Sequence, residues 1–106
     1  MSRNKEFDRA FKVGQSFYGQ NFGIKVVSNN LSVTRLGILI STKVSKKAVI
    51  RNRLRRQIRE IIRSELINLK SGQDVVIIVF PQILDKNFLE IKNALVAGLQ
   101  RCNLYK

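Results

Sequence analysis

Apolar positions change their period several times along the chain, and each change marks an element. Phe7, Ala10 and Phe11 are spaced three and four apart behind Asn4, a capping residue type, and Gly14 closes the segment, which predicts a short helix. β-like segments follow at residues 16–18 and Phe22–Ser28, with Gly19 between them. In the second, Phe22, Ile24 and Val26 alternate with Gly23, Lys25 and Val27, the pattern of a strand with one buried and one open face. Asn29 and Asn30 predict a turn, because Asn tolerates positive φ, and a third strand is expected over residues 34–41.

The longest periodic stretch runs over residues 46–69. Ile50, Leu54, Ile58, Ile61, Ile62, Leu66 and Leu69 fall within an arc of about 160° at 100° per residue, so an amphipathic helix is predicted, with Ser71 and Gly72 as its stop. Residues 74–80 are almost uniformly apolar and β-branched, as in a central strand buried on both faces and paired in parallel. Pro81 ends that strand. Asp85 or Asn87 can cap a last helix, and Glu90 stands three residues after Asn87 in a capping-box relation. On this helix Phe88, Leu89, Ile91, Leu95, Val96, Leu99 and Cys102 are expected to share the core face, with Phe17, Phe22 and Phe80 also inside. The order helix, three strands, helix, strand, helix reads as an α+β sandwich in a single domain, residues 1–106.

Composition narrows what such a domain does. The chain has 106 residues and is 44% hydrophobic, enough for one modest core. Its 20 Lys and Arg against 7 Asp and Glu give a net charge of +13, which points to a polyanionic partner. With no His, imidazole acid–base, triad and zinc chemistry are excluded. The single Cys102 permits no internal disulfide and fits a packed thiol in a reducing compartment. The longest apolar run, residues 75–80, is far short of the roughly 20 residues of a membrane span. Residues 1–7 lack the apolar segment of a signal peptide, so a cytoplasmic location and no membrane partner are expected.

The charge is unevenly placed. Lys43, Lys46, Lys47, Arg51, Arg53, Arg55, Arg56, Arg59 and Arg63 lie within 21 consecutive residues that contain one acid, Glu60. On the helical projection Arg53, Arg56, Arg59 and Arg63, with Asn52 among them, occupy the arc opposite the apolar stripe. Arg55 lies at its border, and Arg51 overlaps the stripe itself. A solvated face would interleave Glu, because like charges three and four apart repel along a helix. A face nearly all of one sign predicts phosphate binding, and the predominance of Arg adds planar forks that can also stack on bases. An Arg-rich helix suits a folded RNA, although composition alone does not exclude DNA.

Residues 37–60, with a strand, a Lys-rich loop and a helix opening Arg51-Asn52-Arg53 and continuing through Arg55, Arg56, Arg59 and Glu60, resemble the signature of the bacterial ribonuclease P protein subunit. Phe7 and Phe11 before Gly14, the strand at 74–80 before Pro81, and the closing Leu104-Tyr105-Lys106 are similar to the same family, so the resemblance covers nearly the whole chain. It implies an α-β-β-β-α-β-α sandwich with a four-stranded sheet and a left-handed βαβ crossover, of the ribosomal protein S5 domain 2-like type. It also implies that hydrolysis of precursor tRNA belongs to a catalytic RNA and its Mg²⁺ ions, with no catalytic residue on the protein. The partners so implied are that RNA and precursor tRNA, with no obligate protein partner.

Matched residue by residue, Arg51, Asn52, Arg53, Arg55, Arg56 and Arg59 correspond to the helix that faces the RNA subunit. Lys43, Lys46 and Lys47 belong to the basic loop before it, and Arg63 extends the face. Phe7 and Phe11 correspond to aromatics lining the cleft for the 5′ leader. Lys25 stands where relatives often carry an aromatic, so charge is expected to replace stacking there. Some members bind metal near Arg51-Asn52-Arg53, but no metal ligand is assigned on this chain. The competing readings are a structural ribosomal protein that scaffolds rRNA, which fits the same size and charge, and a protein-only nuclease, for which the seven scattered acids supply few ligands.

Overall fold

The computed structural model describes residues 15–106. The helix expected around Phe7 and Phe11 lies outside them. The described elements are β1 (Gln15–Tyr18), β2 (Phe22–Ser28), β3 (Arg35–Leu39), α1 (Ala48–Glu65), β4 (Gln73–Val79) and α2 (Phe88–Arg101), with short 3-10 turns at Leu66–Asn68 and Pro81–Asp85. The four strands form one mixed sheet in the order β1-β2-β4-β3. β4 is central as its composition predicts, antiparallel to β2 and parallel to β3. The β3–β4 connection is therefore a crossover, and it carries α1.

Register sorts the strand residues onto two faces. Phe17, Phe22, Ile24, Val26, Leu36, Ile38, Val75, Ile77 and Val79 share one face by their pairing. All nine belong to or pack on the main core, together with Leu54, Ile58, Ile61 and Ile62 of α1 and Ile91, Leu95 and Leu99 of α2. Helix α2 comes close because Gly98 has no side chain. A Cβ there would lie 2.7 Å from Ile24 Cδ1 and 3.2 Å from the Phe17 ring. Tyr18, Gly23, Lys25, Val27, Asp74, Val76 and Arg35 fall on the opposite face.

That opposite face is less open than the alternation in β2 predicts: Gly23 and Val27 are buried and Lys25 is half-buried. A polar anchor lies at its β3 end. Asp74 is 8% exposed and accepts from Arg35 Nε at 2.7 Å, Arg35 Nη2 at 2.6 Å and Asn29 Nδ2 at 2.9 Å. Fixing Asn29 in this way shapes the turn after β2, where Asn30 adopts φ 60° and Leu31 N donates to Asn29 Oδ1.

Two expectations are corrected. The long helix ends at Glu65 rather than near Leu69, because the last residues of the chain capture the segment beyond it. Leu69 bridges Tyr105, Lys70 N donates to Leu104 O at 2.7 Å, and Lys106 N donates to Asn68 O at 2.9 Å. Gly72, at φ 74°, serves the turn into β4, where a Cβ would meet Leu31 O at 2.7 Å. Phe88 and Leu89 are not core residues; they are 41% and 62% exposed. Phe88 has the right angular position but stands in the first turn of α2, beside the exposed cap residues Asn87 and Glu90. The capping box itself is present, with Glu90 N donating to Asn87 Oδ1 and Asn87 N to Glu90 Oε1. Of the other expected core aromatics, Phe22 is fully buried, while Phe17 and Phe80 are half-buried.

Candidate nucleic-acid interface

Helix α1 presents two opposed faces. Leu54, Ile58, Ile61 and Ile62 are buried, and Asn52, Arg53, Arg56, Arg59 and Arg63 are exposed. Those four arginines make no hydrogen bond or ion pair with a described residue. Their guanidinium forks therefore remain available to an outside anion. The two arginines that the projection places nearer the apolar stripe behave differently. Arg51 is half-buried and donates from Nη1 to Ser45 O at 2.7 Å, and Arg55 is half-buried and donates from Nη1 to Asn52 Oδ1 at 3.0 Å.

The Lys-rich loop is held rather than loose. Val44 is 3% exposed and pins its middle into the core. Around it Val44 N donates to Ser41 O, Lys43 N to Ser41 Oγ and Lys47 N to Ser45 Oγ. With Arg51 tying Ser45 to the first helical turn, Lys43, Lys46 and Lys47 project as an exposed set continuous in sequence with the helix face. Val44 as an anchor is missed by periodicity, since a single valine among Ser and Lys carries no pattern. The N-cap residue of α1 is Lys47, without a side-chain cap, and no acid occupies the first turn. Positive charge thus continues to the positive end of the helix dipole, an arrangement that disfavours the free helix and favours an anionic partner.

Lys25 stands apart from this surface, on the sheet face opposite the main core. Its Nζ lies 4.9 Å from the centroid of the Tyr18 ring. Phe7 and Phe11 lie outside the described residues. Among the described residues no three Cys, Asp or Glu side chains converge. Cys102 is buried, and that burial pushes its thiol up from the ordinary range, away from thiolate chemistry. Among the described residues no helix is long and apolar enough to cross a membrane.

A strongly basic helix on an α+β frame is compatible with several RNA-binding proteins, and comparison with known families decides among them. A family model described as Ribonuclease P matches residues 1–103. The chain belongs to the ribonuclease P protein family. It is thereby the protein component of an RNA-based enzyme that acts in tRNA 5′ maturation, and association with the ribonuclease P RNA follows. The ribosomal-scaffold reading is set aside.

Relatives of the family extend along the full length. The Ribonuclease P protein component of Clostridium botulinum (strain Langeland) is 35% identical over 104 residues, covering 97% of this chain and 93% of the relative. That of Clostridium kluyveri is 34% identical over 108 residues, covering 100% and 96%. Among solved structures, the Staphylococcus aureus RNase P protein matches with TM-score 0.89 at 28% identity, covering 100% of this chain and 96% of that one. The Thermotoga maritima RNase P protein, in complex with 1-(4-fluorophenyl)-2-thiourea, matches with TM-score 0.84 at 30% identity, covering 95% and 98%.

Proposed function

We propose that this chain acts as one RNA-binding domain with two surfaces: α1 and its preceding loop hold the ribonuclease P RNA, and a second surface holds the 5′ leader of precursor tRNA. The observation that carries the first is the exposed row Arg53, Arg56, Arg59 and Arg63, which bonds no described residue and is continued by Lys43, Lys46 and Lys47. Over the ten residues from Arg53 to Arg63 an α-helix rises about 15 Å, long enough to follow several successive phosphates. The planar forks of these arginines grip backbone oxygens, while Arg51 and Arg55 brace the loop and Asn52 and so fix where the row points. Duplex RNA is read chiefly through its backbone and shape, which this chemistry matches.

For the leader, the proposal assigns Phe7 and Phe11 as stacking residues and Lys25 as a phosphate contact. Mg²⁺, held mainly by the RNA subunit, would supply the metal chemistry of hydrolysis, and the protein contributes binding and orientation. We further infer that the β3–α1–β4 crossover is left-handed in the ribosomal-type sandwich the resemblance implies. The holoenzyme so formed is cytoplasmic and needs no second kind of protein.

The test is the affinity of the reconstituted holoenzyme for precursor and for mature tRNA. Phe11→Ala and Lys25→Ala are expected to weaken precursor binding and leave mature tRNA binding unchanged. Equal losses on both substrates would overturn the leader assignment.

A further inference from the structure

Tyr18 has no place in the surfaces described above, and its surroundings are unusual for an exposed aromatic. It ends β1, at the sheet edge, and is 57% exposed. Its register partner in β2 is Gly23, and the ring lies across that glycine. A Cβ added at Gly23 would stand 2.8 Å from Tyr18 Cδ1 and 3.0 Å from Cε1. Any residue larger than glycine at this position would lift the ring off the sheet. Lys25, two residues further along β2 on the same face, brings its Nζ to 4.9 Å from the ring centroid. An aromatic ring is thus laid down on backbone, left half open to solvent, and bordered by a cation.

A single-stranded nucleic acid offers the two groups this arrangement takes, a flat base and a phosphate one backbone unit away. Base–aromatic stacking tolerates every base, and the neighbouring ammonium supplies the electrostatic part. We propose that Tyr18, seated on Gly23, is a base-stacking platform for one nucleotide of the single-stranded 5′ leader, with Lys25 taking the adjoining phosphate. The inference rests on the leader surface proposed above and adds a residue to it. Glycine at position 23 is then a specificity determinant, because it sets the height of the ring above the sheet.

The experiment uses holoenzyme reconstituted with ribonuclease P RNA, and precursor tRNAs whose leaders are shortened one nucleotide at a time. Tyr18→Ala should weaken binding of long-leader precursor by about five- to 150-fold, the range that stacking of one base spans. Mature tRNA affinity should be unchanged, and Tyr18→Phe should restore precursor binding because the ring remains. Gly23→Ala should reproduce the Tyr18→Ala loss while keeping the tyrosine. The penalty of Tyr18→Ala should vanish once the leader is too short to reach the ring, and 2-aminopurine at the last effective position should lose its quenching in that variant. Lys25→Ala should flatten the log–log salt dependence by about 0.7, the single-strand value for one phosphate.

Unchanged precursor affinity in a folded Tyr18→Ala protein overturns the platform, as does an equal loss on mature tRNA. If Phe11→Ala still discriminates precursor from mature tRNA in that case, the leader surface stands and only Tyr18 is removed from it. If neither variant discriminates, both proposals fall.

Discussion

Replacing Arg53 and Arg56 together by alanine separates a binding face from a merely solvated one. Both side chains are exposed and neither is bonded to a described residue, so their removal takes no contact out of the described fold. If each neutralises one phosphate, each contributes about 0.9 to the log–log slope of affinity against salt, and the double variant should be flatter by about 1.8. Between about 0.1 and 0.3 M salt the parent should then lose roughly sevenfold more affinity for ribonuclease P RNA than the variant does. The free protein should meanwhile gain a little stability. Alanine is the better helix former, and removing two cations relieves repulsion along the Arg53, Arg56, Arg59 and Arg63 row. The assay is a binding titration against the RNA at several salt concentrations, paired with thermal melts. An unchanged slope would refute phosphate contact, and a lowered melting temperature would show that these arginines hold the fold instead.

Other substitutions probe the supports of the site. Arg51→Ala removes the bond to Ser45 O and should cost about 1 kcal/mol, visible as a lower melting temperature that Arg53→Ala does not share. Gly98→Ala gains about 1 kcal/mol of helix propensity but drives a methyl to 2.7 Å from the fully buried Ile24 Cδ1, so a net loss of about 1 kcal/mol is expected in urea melts. Burial, then the hydrogen bond to Glu65 and its charge, raise the Tyr105 hydroxyl above its ordinary value near 10. The unfolded chain therefore releases that proton first, and this stabilisation is complete below about pH 10 and declines as pH rises above it. Tyr105→Phe should lower stability at neutral pH and flatten the alkaline decline, read from denaturation midpoints across that range.

What was legible in the chain depended on the range of the interaction concerned. The capping box of Asn87 and Glu90 is a contact across three residues, and it forms as the spacing predicts. The helical projection of α1 anticipated even the two half-buried arginines, since Arg51 and Arg55 fall within or beside the apolar arc. The end of α1 was not legible, because it is set by residues at the far end of the chain: Leu69 pairs with Tyr105, and Glu65 accepts from the Tyr105 hydroxyl. Phe88 was misplaced because periodicity gives an angle around a helix and says nothing of position along it. The Asp74–Arg35–Asn29 anchor needs three segments brought together by the sheet register. Tyr18 needs the register of the β1–β2 hairpin, which places its ring over Gly23 and beside Lys25.

The central claim is that this protein supplies binding and orientation to a reaction carried out by RNA. Cleavage of precursor tRNA at limiting Mg²⁺, by ribonuclease P RNA with and without the chain and by the chain alone, tests it most directly. The account predicts strong stimulation of the RNA by the protein and no cleavage by the protein alone. Correct 5′ cleavage by the chain without RNA, or an RNA reaction that the chain leaves unchanged, would contradict it.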